Sequence, residues 1–151
     1  MRTLCLDLGT TTGWASCEDP ALANSGTITF ASRRYEGGGM RFLRFRHWLD
    51  QFLVTCPTLK SVYFEEVHAH KGTDAAHIYG GLMATLTSWC EEKSIPYAGI
   101  SVGTIKKHAT GKGNAGKEQM IEAAKAKGHN PADDNEADAI CLMYCALEGV
   151  L

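Results

Sequence analysis

The sequence predicts an α/β domain: a mixed five-stranded sheet, made of a three-strand antiparallel meander plus two parallel strands, with helices on both faces. Three observations carry that expectation. Three strand-like runs follow one another at the N-terminus with connections too short for a crossover, which makes a meander. Two further strand-like runs are each preceded by a helical segment, and strand–helix–strand units demand parallel pairing with right-handed connections. Finally, 151 residues with 44% apolar content suit one domain with a single core, spanning 1–151 without repeat, low-complexity tract or linker.

The first run, Thr3 to Leu8, is almost continuously apolar, as a strand covered on both faces should be. It carries one carboxylate, Asp7, and breaks at Gly9. Trp14 to Cys17 resumes as a second strand. Asn24-Ser25-Gly26 has turn chemistry, and Thr27 to Phe30 alternates as a third strand. Arg34 to Gly39 reads as a loop. Met40 to Leu53 reads as a helix, with Met40, Leu43, Phe45, Leu49, Phe52 and Leu53 near helical spacing. Ser61 to Phe64 is the fourth strand and runs into Glu65-Glu66. Tyr79, Leu82, Met83, Leu86 and Cys90 form the stripe of an amphipathic helix. Pro96 to Ile100 is the fifth strand. A helical turn at Thr104 to His108 leads into the glycine-rich loop Thr110 to Gly116, then a helix at Lys117 to Lys127. The last helix covers Asp134 to Leu147, with Ala137, Ile140, Cys141 and Tyr144 facing the core.

The net charge of −2 conceals segregation. Five arginines (33, 34, 41, 44 and 46) face one glutamate between 33 and 46, and six lysines face two glutamates between 106 and 127. The last 21 residues hold five acids and no lysine or arginine. Basic segments beside an acidic cluster suit a polyanion held near a cation-dependent site. Ordinary solvated helix faces are the plain alternative. No run approaches a membrane span and no signal-peptide pattern opens the chain, so a cytoplasmic protein is expected. The six cysteines lack a Cys-x-x-Cys pair and sit mostly in apolar runs, which favours buried free thiols over disulfides or zinc.

The acids are placed suggestively. Asp7 and Glu65 end strands, and Asp134 and Asp138 lie in the first turns of the last helix, four apart on one side, with Asn135 three before Asp138. If the two strands are parallel neighbours, their ends lie about 5 Å apart. Two carboxylates would then repel one another unless a metal or a shared proton intervenes. Oxygen ligands without thiolate or paired imidazole suit Mg²⁺ or Mn²⁺ rather than zinc. Singly, each acid has a structural reading: Asp7 capping the Gly9 turn, Glu65 paired with a lysine, Asp134 as a helix N-cap.

Four stretches together resemble the RuvC-type Holliday-junction resolvases of the ribonuclease H-like nucleases. They are Leu6-Asp7-Leu8-Gly9 with Thr12-Gly13-Trp14-Ala15, Phe64-Glu65-Glu66-Val67, Gly111 to Lys117, and Asn135-Glu136-Ala137-Asp138-Ala139. Asp-x-Gly-Thr-Thr alone also opens actin-like ATPases and sugar kinases, but four stretches in order are specific. The size and the wording from Asp134 to Asp138 look like the phage branch. The resemblance implies a homodimer that nicks two strands of a four-way DNA junction symmetrically, using Mg²⁺ or Mn²⁺, with two ions per site. Asp7, Glu65 and Asp138 match the family's metal-binding acids, and a fourth ligand falls at Asn135 or, in its place, Asp134. Lys106 and Lys117 match basic positions near the cleavage site, Lys117 beside the scissile phosphate. Lys107 and Lys112 join them in tracking DNA. The segment with His68, His70 and Lys71 matches the part entering the junction centre, where His68 stands in place of an aromatic residue. Arg41 and Arg44, on one flank of their helix, are further candidates for DNA contact. Competing expectations are a related RNA-processing nuclease, a non-catalytic junction-binding module, and a small actin-like phosphotransferase.

Overall fold

The computed structural model describes residues 1–149. Strands β1 (Arg2–Asp7), β2 (Thr11–Cys17) and β3 (Asn24–Thr29) form the antiparallel meander, and β4 (Leu59–Glu66) and β5 (Tyr97–Ser101) add in parallel, giving the order β3-β2-β1-β4-β5. Helix α1 (Gly39–Thr55) precedes β4 and α2 (Thr73–Lys93) precedes β5. Helices α3 (Val102–Thr110), α4 (Lys117–Ala126) and α5 (Asp134–Tyr144) follow, the last prolonged by a π-helical turn at Cys145–Gly149. Among the described residues no helix is long and apolar enough to cross a membrane.

Strand alternation sorts the interior into two cores. Leu4, Leu6 and Leu8 of the first run, with Val62 and Phe64 of β4, pack against α1 and α2 through Phe45, Leu49, Leu82, Leu86 and Trp89. Cys5 of β1 and Ala15 and Cys17 of β2 pack the other way, against Ile105, Met120 and the buried side of α5. Both faces of β1 are covered, as its continuous apolar run requires. Asp7 shares the face of Cys5, and Glu65 shares that of Tyr63. Both carboxylates therefore look toward α5.

Several boundaries differ from the sequence expectation. Asn24-Ser25-Gly26 lies inside β3, paired with Ser16, Ala15 and Trp14, because the actual turn is a 3₁₀ segment at Pro20–Leu22 capped by Asp19. Turn-prone residues were overridden by pairing with a neighbouring strand. The turn at Thr104 to His108 is a full helix, opened by the Ser101 hydroxyl accepting from the Thr104 amide and closed by Gly111 at φ 84°. Asp133, not Asp134, caps α5 by accepting from the Glu136 amide at 2.8 Å. Leu43, expected on the core face of α1, is 61% exposed; Phe45 and Leu49 form that face as expected, with Trp48 tilted and Phe52 edge-on against Trp14. All six cysteines are free, five of them buried.

The start of α5 lies directly on β2. A Cβ at Gly13 would come 1.9 Å from the Asn135 carbonyl oxygen, so only glycine lets the helix approach this closely. Glu136, itself buried, fastens the contact by accepting from the Ser25 hydroxyl and the Ala132 amide, each at 2.8 Å. Gly13→Ala is expected to destabilise the protein by about 1–3 kcal/mol by pushing α5 off the sheet. Urea unfolding monitored by the tryptophans measures it, and an unchanged midpoint would contradict this packing.

Candidate metal centre

The chain brings the acids together by register. Leu6 pairs with Phe64 in the parallel β1–β4 ladder, so Asp7 and Glu65, each one residue further, leave the sheet side by side. The antiparallel partner of Asp7 is Gly13, the residue on which α5 rests. Asp138, one turn into that helix, thereby reaches the strand ends. One oxygen from each of Asp7, Glu65 and Asp138 can be chosen so that all three lie within 4.8 Å of one another.

Asp7 does not close the Gly9 turn. The Thr12 hydroxyl does, donating to the Gly9 carbonyl at 2.7 Å. This frees the Asp7 carboxylate for the cluster. Burial pushes Asp7 well above the usual carboxylate range, and the charges of Glu65, Asp138 and Asp134 push it further. Burial also raises Glu65, opposed by Lys106. Asp138 is pushed up to about 7, chiefly by burial and then by Glu65 and Asp134, with Lys106 and Lys117 opposing. Two lysines thus temper the cluster without neutralising it. Three converging carboxylates with uncompensated charge are a donor set for a hard divalent cation, and its all-oxygen chemistry fits Mg²⁺ or Mn²⁺.

The remaining expected residues divide. Lys106 is half-buried on α3, Lys107 and Lys112 are exposed, and Lys117 begins α4 with its Nζ 3.6 Å from Asp134. Asp134 belongs to the negative field of the site but lies outside the tight group of three. Asn135 is half-buried, and its backbone carbonyl is the atom lying on Gly13. His68 and Lys71 are exposed beyond β4. His70 turns inward, its ring centroid 4.9 Å from that of Tyr79. On α1, Arg41 is half-buried, and Arg44 is engaged by Glu36 and the Ala31 carbonyl, a pairing that holds Glu36 at about 2. Arg33, Arg34 and Tyr35, in the loop leaving β3, are exposed, with Arg34 over the Tyr35 ring.

Sequence reasoning treated Tyr79 only as part of a core stripe. Its ring is buried on α2, but its hydroxyl donates to the Glu65 carbonyl at 2.8 Å and accepts from the Val67 amide at 3.1 Å. A tyrosine within an otherwise apolar stripe was the available signal.

All three carboxyls hold protons more tightly folded than unfolded, so the metal-free folded state binds more protons. Its stability is therefore expected to fall as pH rises from about 4 through about 7, and millimolar Mg²⁺ or Mn²⁺ should restore it above pH 7. Thermal melts across pH, with EDTA and with either cation, measure this. A metal-free melting temperature rising steadily over that range would refute it.

No protein-family model and no curated protein sequence matches the chain. Solved structures do. The Thermus thermophilus RuvC in complex with a Holliday junction substrate superposes with a TM-score of 0.78 at 18% identity, over 94% of this chain and 90% of that one. A second Thermus thermophilus RuvC structure gives 0.75 at 18% identity, covering 99% and 97%. The yeast mitochondrial Holliday junction resolvase Ydc2 gives 0.61 at 13% identity, covering 93% and 75%. The five-stranded mixed sheet and its helices are thus the ribonuclease H-like fold of the RuvC resolvases.

Proposed function

We propose that this chain is a metal-dependent endonuclease that resolves four-way and related branched DNA junctions, acting in the cytoplasm. One observation carries the reading: carboxylates from two adjacent strand ends and one helix converge within 4.8 Å, at the position that the fold leaves open between β1 and β4. The fold shared with a RuvC bound to a Holliday junction substrate supports branched DNA as the ligand.

Asp7, central to the group, would hold the cations jointly with Glu65 on one side and Asp138 on the other. Bound there, two ions would supply activation of an attacking water and stabilisation of the leaving oxygen in phosphodiester hydrolysis. Lys117, at the rim and steered by Asp134, would counter charge at the scissile phosphate. Asn135 or Asp134 would complete the ligand set. Lys106, Lys107 and Lys112 would follow the backbone on the α3–α4 side, and His68, His70 and Lys71 would meet the junction beyond β4. Arg33 and Arg34, exposed in the loop leaving β3, and Arg41 and Arg44 on α1 would add further contacts to the DNA backbone. Affinity governed by such contacts falls steeply with salt. A homodimer would present two sites related by a two-fold axis, which matches paired cuts in a four-way junction.

Asp7→Asn should reduce cleavage of a synthetic four-way junction to background in Mg²⁺ while preserving junction binding in a gel-shift assay. EDTA should do the same to the parent protein. Parental cutting by Asp7→Asn would remove the metal-site reading. Preference for structured RNA over junction DNA would redirect the substrate, and binding without metal-dependent nicking by the parent would make the chain a junction-binding module.

A further inference from the structure

On β4 the Val62 amide bonds the Pro96 carbonyl, toward β5. Alternation along a strand then turns the amides and carbonyls of odd-numbered residues toward β1. For Tyr63 that neighbour is present, because Cys5 lies alongside. For the Glu65 carbonyl and the Val67 amide it is not, because the β1–β4 pairing ends at Leu6 and Phe64 and the chain swings away at Gly9. The divergence opens the space into which the carboxylates project. It also strips the backbone on both sides of Glu66 of its strand partner, next to a residue of the metal centre.

Tyr79 fills that vacancy from the opposite face of the sheet. Its hydroxyl gives its proton to the Glu65 carbonyl and takes the Val67 amide proton, the pair of bonds a continued β1 would have made. Its ring is anchored in the core with Leu82 and Leu86. Burial raises the phenol above its ordinary range, so it stays a neutral donor. The Glu65 side chain, meanwhile, leaves on the α5 face. Tyr79 thus holds the backbone of Glu65 from one face while the carboxylate serves the cluster on the other, near enough for the charges of Glu65 and Asp7 to add to the rise of the phenol.

We propose that Tyr79 is a positioning residue for the metal centre: its hydroxyl replaces the missing β1 partner and fixes the backbone from which Glu65 reaches the cation. The inference rests on the metal-site reading above. Groups that orient ligands typically cost 10–100-fold in metal affinity when lost.

The test uses Mn²⁺ alone as probe, titrated into the DNA-free full chain. Tyr79→Phe keeps the ring and its packing and removes only the hydroxyl. Its Mn²⁺ affinity should fall about tenfold or more. Its junction-cleavage kcat should fall comparably at fixed Mn²⁺, with junction binding in Ca²⁺ within about twofold of the parent. Ile78→Ala serves as the control, because it loosens the neighbouring packing of α2 without touching the hydroxyl. It should lower the melting temperature and leave Mn²⁺ affinity near the parental value. Parental Mn²⁺ affinity in Tyr79→Phe overturns the proposal, and so does an equal loss in Ile78→Ala, which would mean general loosening. A parent chain that binds no Mn²⁺ would instead overturn the metal site itself, and this inference with it.

Discussion

The structure is built around an unfavourable interaction: three carboxylates held close enough to repel one another. Burial and mutual charge raise Asp138 from 3.8 to about 7, a shift worth a few kcal/mol against the ionised, metal-free state. Something must hold these groups together despite that cost. The two cores do so by fixing β1 and β4 side by side and pressing α5 onto the sheet. The final approach depends on smaller features around the first turn of α5. Gly13 removes a side chain from the contact, Asp133 caps the helix, and Glu136 ties it to Ser25 and Ala132. An acid placed on a mobile loop could retreat from its neighbours. Asp7, Glu65 and Asp138 cannot, and a cation is the natural means of relieving them.

Charge outside the cluster follows a related logic. On the α3–α4 side, Lys106 and Lys117 are close enough to lower the proton affinity of the acids yet remain at the rim. Full burial of a lysine among the carboxylates would neutralise the site and compete with a metal. On the α1 side, much of the apparent positive charge is already committed: Arg44 to Glu36 and Arg46 to Glu92. A count of arginines along the sequence therefore overstates what that side offers a polyanion. Arg33 and Arg34, in the loop from β3 to α1, remain exposed.

The legible parts of the chain were those written in local pattern. An apolar run ending in a carboxylate marks a buried strand with a functional end, and alternating strand and helix implies the parallel neighbour that brings Glu65 beside Asp7. Asp138 was readable because spacing of four fixes it to the side of Asp134. Less legible were contacts between residues far apart in sequence. Gly13 against Asn135, Glu136 against Ser25 and Tyr79 against Glu65 leave no local periodicity. Turn chemistry misled at Asn24-Ser25-Gly26, because pairing with β2 outweighs local preference once that strand is in place. The capping alternative weighed for Asp134 falls to its neighbour: Asp133 and Asp134 are equally good caps, and only the backbone at Asp133, extended at φ −153°, decides between them.

The geometry also separates this fold from the other chemistry that opens with Asp-x-Gly-Thr-Thr. A phosphotransferase of the actin-like kind uses the turn after the first strand to cradle phosphate between two lobes. Here that turn is closed on itself by Thr12, whose hydroxyl bonds the Gly9 carbonyl and accepts weakly from its amide at 3.4 Å. The described residues supply one five-stranded sheet and therefore one lobe. What remains open is the wedge between the ends of β1 and β4, lined by acids and bordered by lysines. An anionic phosphate approaching acids of this kind is repelled unless cations stand between them. On the proposed reading, cations held in this wedge would stand between the acids and the scissile phosphodiester, while the basic residues around it would hold the rest of the junction without them.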